Sequence, residues 1–253
     1  MSETTLSLIF AVCIFGSALL GMFVRSRLPE HHVQDDSKDA VKLGAGMIAT
    51  LAALVLGLLV SSAKGSFETM SAGIVQGGAK IVLLDRVLAQ YGAESGPIRE
   101  QLRHNLTAGI EMFWSERQPD GSGMAAWESV KGLEQIQEKL RALSPHSDAQ
   151  RTLLVQAQQI AGELLLARWL FIEQTQSTFP LSFLAILLFW LSLLYVSFGL
   201  LSPRNATVIA VLFLGAVSLA TAVFLILEMS RPLDGVIKIS GAPMQKALEH
   251  LGQ

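Results

Sequence analysis

Four stretches of this chain carry no charged side chain: residues 4–24, 43–63, 174–203 and 205–227, which are 21, 21, 30 and 23 residues long. A helix needs roughly 20 predominantly apolar residues to cross the ~30 Å hydrocarbon core of a bilayer. The pattern therefore predicts four membrane spans, at about residues 6–24, 43–62, 180–201 and 207–227. Spans three and four are separated only by SPRN (residues 202–205), so they form an antiparallel hairpin.

Between spans two and three the pattern changes but stays helical. Phe67, Met70, Ile74, Gly77, Ile81, Leu84, Leu88 and Tyr91 step by threes and fours. This is the period of one helix face. No breaker separates the stripe from span two, which predicts one long helix running from the span into water. Ile98, Leu102, Leu106, Ile110 and Phe113 form a second stripe, and Trp127, Val130, Leu133, Ile136, Leu140 and Leu143 a third. Pro119, Asp120, Gly121, Ser122 and Gly123 read as the loop between them. Ser147 reads as the N-cap of a further helix with Leu154, Ala157, Ile160 and Leu164 on one face. The tail after residue 228 is too polar for a fifth span and ends in a short helix. No β pattern or repeat interrupts this reading.

The predicted architecture is an all-α polytopic membrane protein. A helical aqueous domain is inserted between transmembrane helices 2 and 3. Residues 1–63 hold the first two spans and a polar loop at 25–42. Residues 64–178 are the aqueous domain, 179–228 the hairpin and 229–253 the tail.

Composition agrees. Of 253 residues, 51% are hydrophobic and 16% charged, and mean hydropathy is +0.47. Of the 40 Asp, Glu, Lys and Arg residues, 23 fall between residues 68 and 173, which marks that segment as water-facing. A net charge of −2 gives no reason to expect a nucleic-acid partner. The lone Cys13 excludes an intrachain disulfide and a cysteine-based zinc site. No basic residue precedes the first span, and Arg25 and Arg27 follow it, so it reads as an uncleaved anchor.

Orientation is open between two readings. Arg25, Arg27, Lys38 and Lys42 place loop 25–42 in the cytoplasm, with Arg204 on the same side. The aqueous domain would then lie outside. Lys64, Arg231, Lys238 and Lys246 count for the opposite arrangement.

Three groups of residues are candidates for function. On span two, Gly46, Thr50, Ala53, Gly57, Ser61 and Lys64 recur at steps of three and four. Such a narrow, slightly polar face lets helix backbones approach closely. Copies arranged about an axis would instead line a pore. In the loop, His31, His32, Asp35, Asp36 and Asp39 could hold a divalent cation. A solvated loop with no ligand is the plainer reading, since no regular metal-ligand spacing is present. At the end of span four, Glu228 and Arg231 read as an interfacial charge pair. Asp85 and Arg86 read as a second pair, buried between subunits or solvated. No catalytic motif is present: there is no GxSxG, P-loop, HExxH or GxGxxG, and His104, His146 and His250 stand alone. The chain is therefore not expected to be an enzyme, and no cofactor is expected.

The segment LPEHHVQDDSKDAVKLGAGMIATLAALVLGLLVSSAKGSF at residues 28–67 resembles bacterial membrane proteins described as bestrophin-like. So do IVLLDRVLAQYG at 81–92, SPRNATVIA at 202–210 and ILEMSRPLDGVIKIS at 226–240. Bestrophins are pentameric anion channels with four membrane helices per subunit, a neck on the second span and a cytoplasmic helical domain. The resemblance implies a homo-oligomer in the bilayer, a pentamer by analogy, with an axial pore for inorganic anions on span two. It also implies the orientation opposite to the first charge reading. Bacterial proteins of this kind sit in the inner membrane. Two features depart from bestrophins: span two is small and aliphatic where their neck is aromatic, and no acidic calcium cluster can be placed. The alternative function is a non-conducting membrane scaffold or sensor whose aqueous domain binds a partner or signal.

Overall fold

A computed structural model describes residues 3–27, 35–114, 122–176, 181–231 and 235–252. The helices are α1 (Glu3–Arg25), α2 (Asp35–Tyr91), α3 (Gly96–Trp114), α4 (Ser122–Ala142), α5 (Asp148–Gln176), α6 (Leu181–Leu201), α7 (Ala206–Met229) and α8 (Ala242–His250), with a 3₁₀ turn at Ala93–Ser95. Among the described residues there is no strand. The chain divides into two compact units, 1–67 with 178–237, and 68–177 with 238–253.

Four helices are long and apolar enough to span a membrane: α1, α2, α6 and α7. In their most apolar windows only 28%, 11%, 33% and 22% of residues are buried by the protein. Helices this apolar and this exposed need hydrocarbon as solvent. α2 is a single helix of 57 residues that contributes to both units, as its unbroken stripe predicts.

In the first unit α1 packs against α6 and α7. Phe10, Ile14 and Ala18 meet Leu187, Leu191, Tyr195, Ala216 and Val223 in one core. The α1–α6 crossing is close because two glycines face each other's backbone. A Cβ on Gly21 would strike the Val196 carbonyl, and one on Gly199 would lie 2.8 Å from the Met22 nitrogen. Such approach substitutes for the hydrophobic drive that lipid removes. Arg204 closes α1 by donating to the Met22 carbonyl from Nε (3.2 Å) and Nη2 (2.6 Å). A cation there also complements the helix dipole. Asn205 caps α7, its side-chain oxygen accepting from the Val208 amide at 2.8 Å.

The second unit joins the end of α2 to α3, α4, α5 and α8. Leu84, Leu88, Leu102, Ile136, Leu140, Ala157, Ile160 and Ala247 form its core. Gly92 ends α2 with φ 125°, a conformation that glycine adopts without penalty. The buried Ser95 hydroxyl shares its hydrogen between the Leu88 and Gly92 carbonyls, 2.5 and 2.8 Å away, and so satisfies the last carbonyls of α2. Ser147 caps α5 through the Gln150 amide at 3.1 Å. α4 begins at Ser122, so Ser122 and Gly123 belong to the helix and not to the predicted loop. Pro119, Asp120 and Gly121 lie outside the described residues, as do the side chains of Trp127 and Val130.

Candidate functional site

The span part of α2 has three faces. Ala45 and Ala52 are buried, and Ile48, Ala49, Leu56 and Leu59 pack against the first unit's core. At 3.6 residues per turn, the small-residue stripe is centred roughly 120° around the helix from that contact. Gly46, Thr50, Ala53, Gly57, Ser61 and Lys64 are all exposed in the protomer. A Cβ on Gly46 or Gly57 would meet nothing within 4 Å. Beyond the stripe, Leu43, Met47, Leu51, Leu54 and Leu58 form an exposed face of large apolar side chains. Among the described residues, none covers either of these two faces. Thr50 Oγ1 donates to the Gly46 carbonyl at 2.9 Å, which leaves the oxygen's lone pairs as acceptors on the stripe.

Of the five loop candidates, the structure describes the side chain of Asp39 alone. His31 and His32 lie outside the described residues, as do the side chains of Asp35 and Asp36 in the first turn of α2. Asp39 accepts from Lys42 at 2.8 Å. Among the described residues no group of three or more His, Cys, Asp or Glu could hold a metal.

Glu228 and Arg231 take separate partners. Arg231 Nη1 is 2.7 Å from Glu3 Oε1 at the start of α1. Glu228 is buried, and its Oε2 accepts the amides of Val236 (2.7 Å) and Ile237 (3.3 Å). A carboxylate near a helix C-terminus is opposed by the dipole. Here the returning tail supplies compensating donors. Gly235, at φ 124°, lies against this carboxylate, where a Cβ would collide with Oε2.

The family model described as a bestrophin-like domain matches residues 12–244. This chain belongs to the bestrophin-like family. Its fold is similar to the crystal structure of a point mutant of a bacterial bestrophin homolog from Klebsiella pneumoniae. The TM-score is 0.60 at 11% identity, over 96% of this chain and 97% of that one. At that identity the likeness is one of fold. No curated protein matches the sequence.

Two charged residues of this bestrophin-like chain have roles that sequence reading missed. Asp85 is 1% exposed and receives a two-pronged contact from Arg99, Nε to Oδ1 at 2.7 Å and Nη2 to Oδ2 at 2.9 Å. The Gly252 amide donates to Oδ2 at 3.2 Å. The buried pair is thus within the chain and across α2 and α3, correcting the Asp85–Arg86 pairing. The hydrogen bonds to Asp85 push the Arg99 guanidinium above its usual range. The available signal was the position of Asp85 beside Leu84 and Leu88 in an apolar stripe. The second residue is Arg168 on α5. Its guanidinium lies over Phe113 (4.8 Å) and Phe171 (5.5 Å), and burial lowers its pKa to about 10. Its signal was an arginine inside LLLARWLF.

Proposed function

We propose that the chain assembles with copies of itself in the membrane and passes ions, with anions preferred, along an axis lined by the α2 stripe. The observation that carries this reading is the exposure of Gly46, Thr50, Ala53, Gly57 and Ser61 on one face of the span, apart from the face on which Ala45 and Ala52 are buried within the protomer. Small side chains leave room for a water-filled path. The Thr50 and Ser61 hydroxyls offer polar contacts inside it. Lys64, one turn beyond Ser61, would favour anions at the mouth. Membership of the bestrophin-like family supports the oligomer and suggests five subunits. On this reading the first unit lies in the bilayer of a bacterial inner membrane. The reaction is transport, with the lipid bilayer, the neighbouring subunits and inorganic ions as partners. Residues 64–178 would form the aqueous domain.

The test is ion flux from liposomes that hold purified protein, with the wild type beside Gly57→Leu. A Cβ at position 57 meets nothing within the protomer, so the chain should fold normally. Chloride flux that falls about tenfold or more in the variant, at unchanged subunit number, supports a pore on this face. Wild-type liposomes no more permeable to Cl⁻ or Na⁺ than empty ones would instead give the non-conducting scaffold or sensor. One observation favours that second reading: the second unit contains a ligand-sized cavity with a buried cation on its wall.

A further inference from the structure

The cavity in the second unit has a volume of about 500 Å³. That falls within the roughly 300–1,000 Å³ of small-molecule pockets. Met70 and Ile74 of α2, Leu106 and Phe113 of α3, and Leu164 and Phe171 of α5 give it mostly apolar walls. Gly73 and Gly109 also lie on the wall, and a Cβ added to either would meet nothing within 4 Å, so the volume is open at their surfaces. Among the described residues, none that line it is acidic.

Two cations line it, and they differ. Lys80 Nζ is neutralised by Glu163 Oε2 at 3.0 Å. Arg168 Nε and Nη2 are buried with no hydrogen-bond partner among the described residues. A guanidinium out of water costs several kcal/mol unless an anion or a full set of acceptors compensates it. The faces of Phe113 and Phe171 return only ~0.5–2 kcal/mol each. Two idle N–H groups on a planar fork match a carboxylate, which accepts two parallel bonds.

We propose that this cavity binds an anionic amphiphile of the fatty-acid class, its carboxylate on Arg168 and its hydrocarbon chain along the apolar wall between α2, α3 and α5. The two parts of the site require the two parts of the ligand. A small inorganic anion would leave the apolar volume unfilled, and a neutral hydrocarbon would leave Arg168 uncompensated. The proposal concerns the second unit alone and holds whether or not α2 conducts.

The experiment uses the full-length protein in nanodiscs of zwitterionic phospholipid, with a diazirine-bearing palmitate as probe. After irradiation, labelled peptides are mapped by mass spectrometry. Saturable labelling is expected in residues 102–113 and 164–174, competed by palmitate and not by hexadecanol. Arg168→Met should weaken apparent affinity at least tenfold, and Arg168→Lys less. Gly109→Leu, which fills the cavity and leaves Arg168 in place, should abolish labelling there. This second variant decides the matter if Arg168→Met fails to fold. Label confined to the membrane spans, equal competition by the alcohol, or undiminished labelling of a folded Arg168→Met would overturn the proposal. So would crosslinking of the unlabelled cavity to a second copy, which would show a neighbouring subunit in its place.

Discussion

The glycines of the membrane spans divide into two groups whose substitution should have opposite effects. Gly199→Ala puts a methyl group 2.8 Å from the Met22 nitrogen and nearer still to the Ala18 carbonyl. Both obstacles are backbone, so neither can rotate away. Restoring ordinary contact requires α1 and α6 to separate by on the order of 1 Å, which forfeits a quarter to a half of the local dispersion energy. Overpacking of this kind costs ~1–3 kcal/mol, against a helix-propensity gain of ~0.5–1 kcal/mol for replacing glycine. Because the obstacles are backbone, the cost falls in the upper part of that range, and the net loss is ~1–2 kcal/mol. Gly57→Ala meets nothing and keeps only the gain. At ~2–4 °C per kcal/mol for a chain of this size, Gly199→Ala should lower Tm by about 2–8 °C. Gly57→Ala should leave it unchanged or raise it by a few degrees. The assay is thermal unfolding of the purified protein in detergent, with light scattering alongside, since a change in subunit number would move Tm on its own. A Gly199→Ala protein at or above the wild-type Tm, with unchanged subunit number, would refute the close crossing.

Asp85→Asn and Arg99→Gln should each destabilise by ~2–4 kcal/mol, below the ~3–5 kcal/mol of fully buried pairs because the Arg99 side chain is 25% exposed. The double variant should lose ~1–2 kcal/mol less than the sum, and additive losses in denaturant unfolding would show the pair to be uncoupled. Glu228→Ala removes the acceptor for Val236 and Ile237, and Gly235→Ala forces a side chain into that carboxylate. Both should speed tryptic cleavage after Lys238 severalfold, and an unchanged rate would mean that the carboxylate does not hold the tail. For orientation, single cysteines replace Ser26 or Ser144 in a Cys13→Ala background. If the charge bias of loop 25–42 governs insertion, an impermeant maleimide labels position 144 from outside and position 26 only after permeabilisation. The reverse pattern would give the bestrophin orientation.

The membrane architecture was legible because its cause is local. Each span is a long run without charge, and a helix satisfies its own backbone polar groups in lipid without help from the rest of the chain. The continuous α2 was equally legible, since an unbroken three-four stripe from Phe67 to Tyr91 leaves nowhere for the helix to stop before Gly92. Family membership was visible in contiguous pieces such as residues 28–67.

Partners distant in sequence were not legible. Asp85 has Arg86 beside it, but adjacent residues point different ways on a helix, and the partner that meets it is Arg99, brought round by the turn at Gly92. Arg231 and Glu228 lie within one turn, yet one meets Glu3 and the other meets Val236 and Ile237. Periodicity gives the stripe on α2 but not which face a neighbour covers. Only packing separates buried Ala45 and Ala52 from exposed Ala53 and Gly57. The sequence alone thus determined which segments cross the bilayer and where helices run, because burial in lipid and backbone hydrogen bonding act residue by residue. Tertiary structure decided which charges are neutralised and which cavity encloses Arg168, because those depend on what the chain brings alongside from far away.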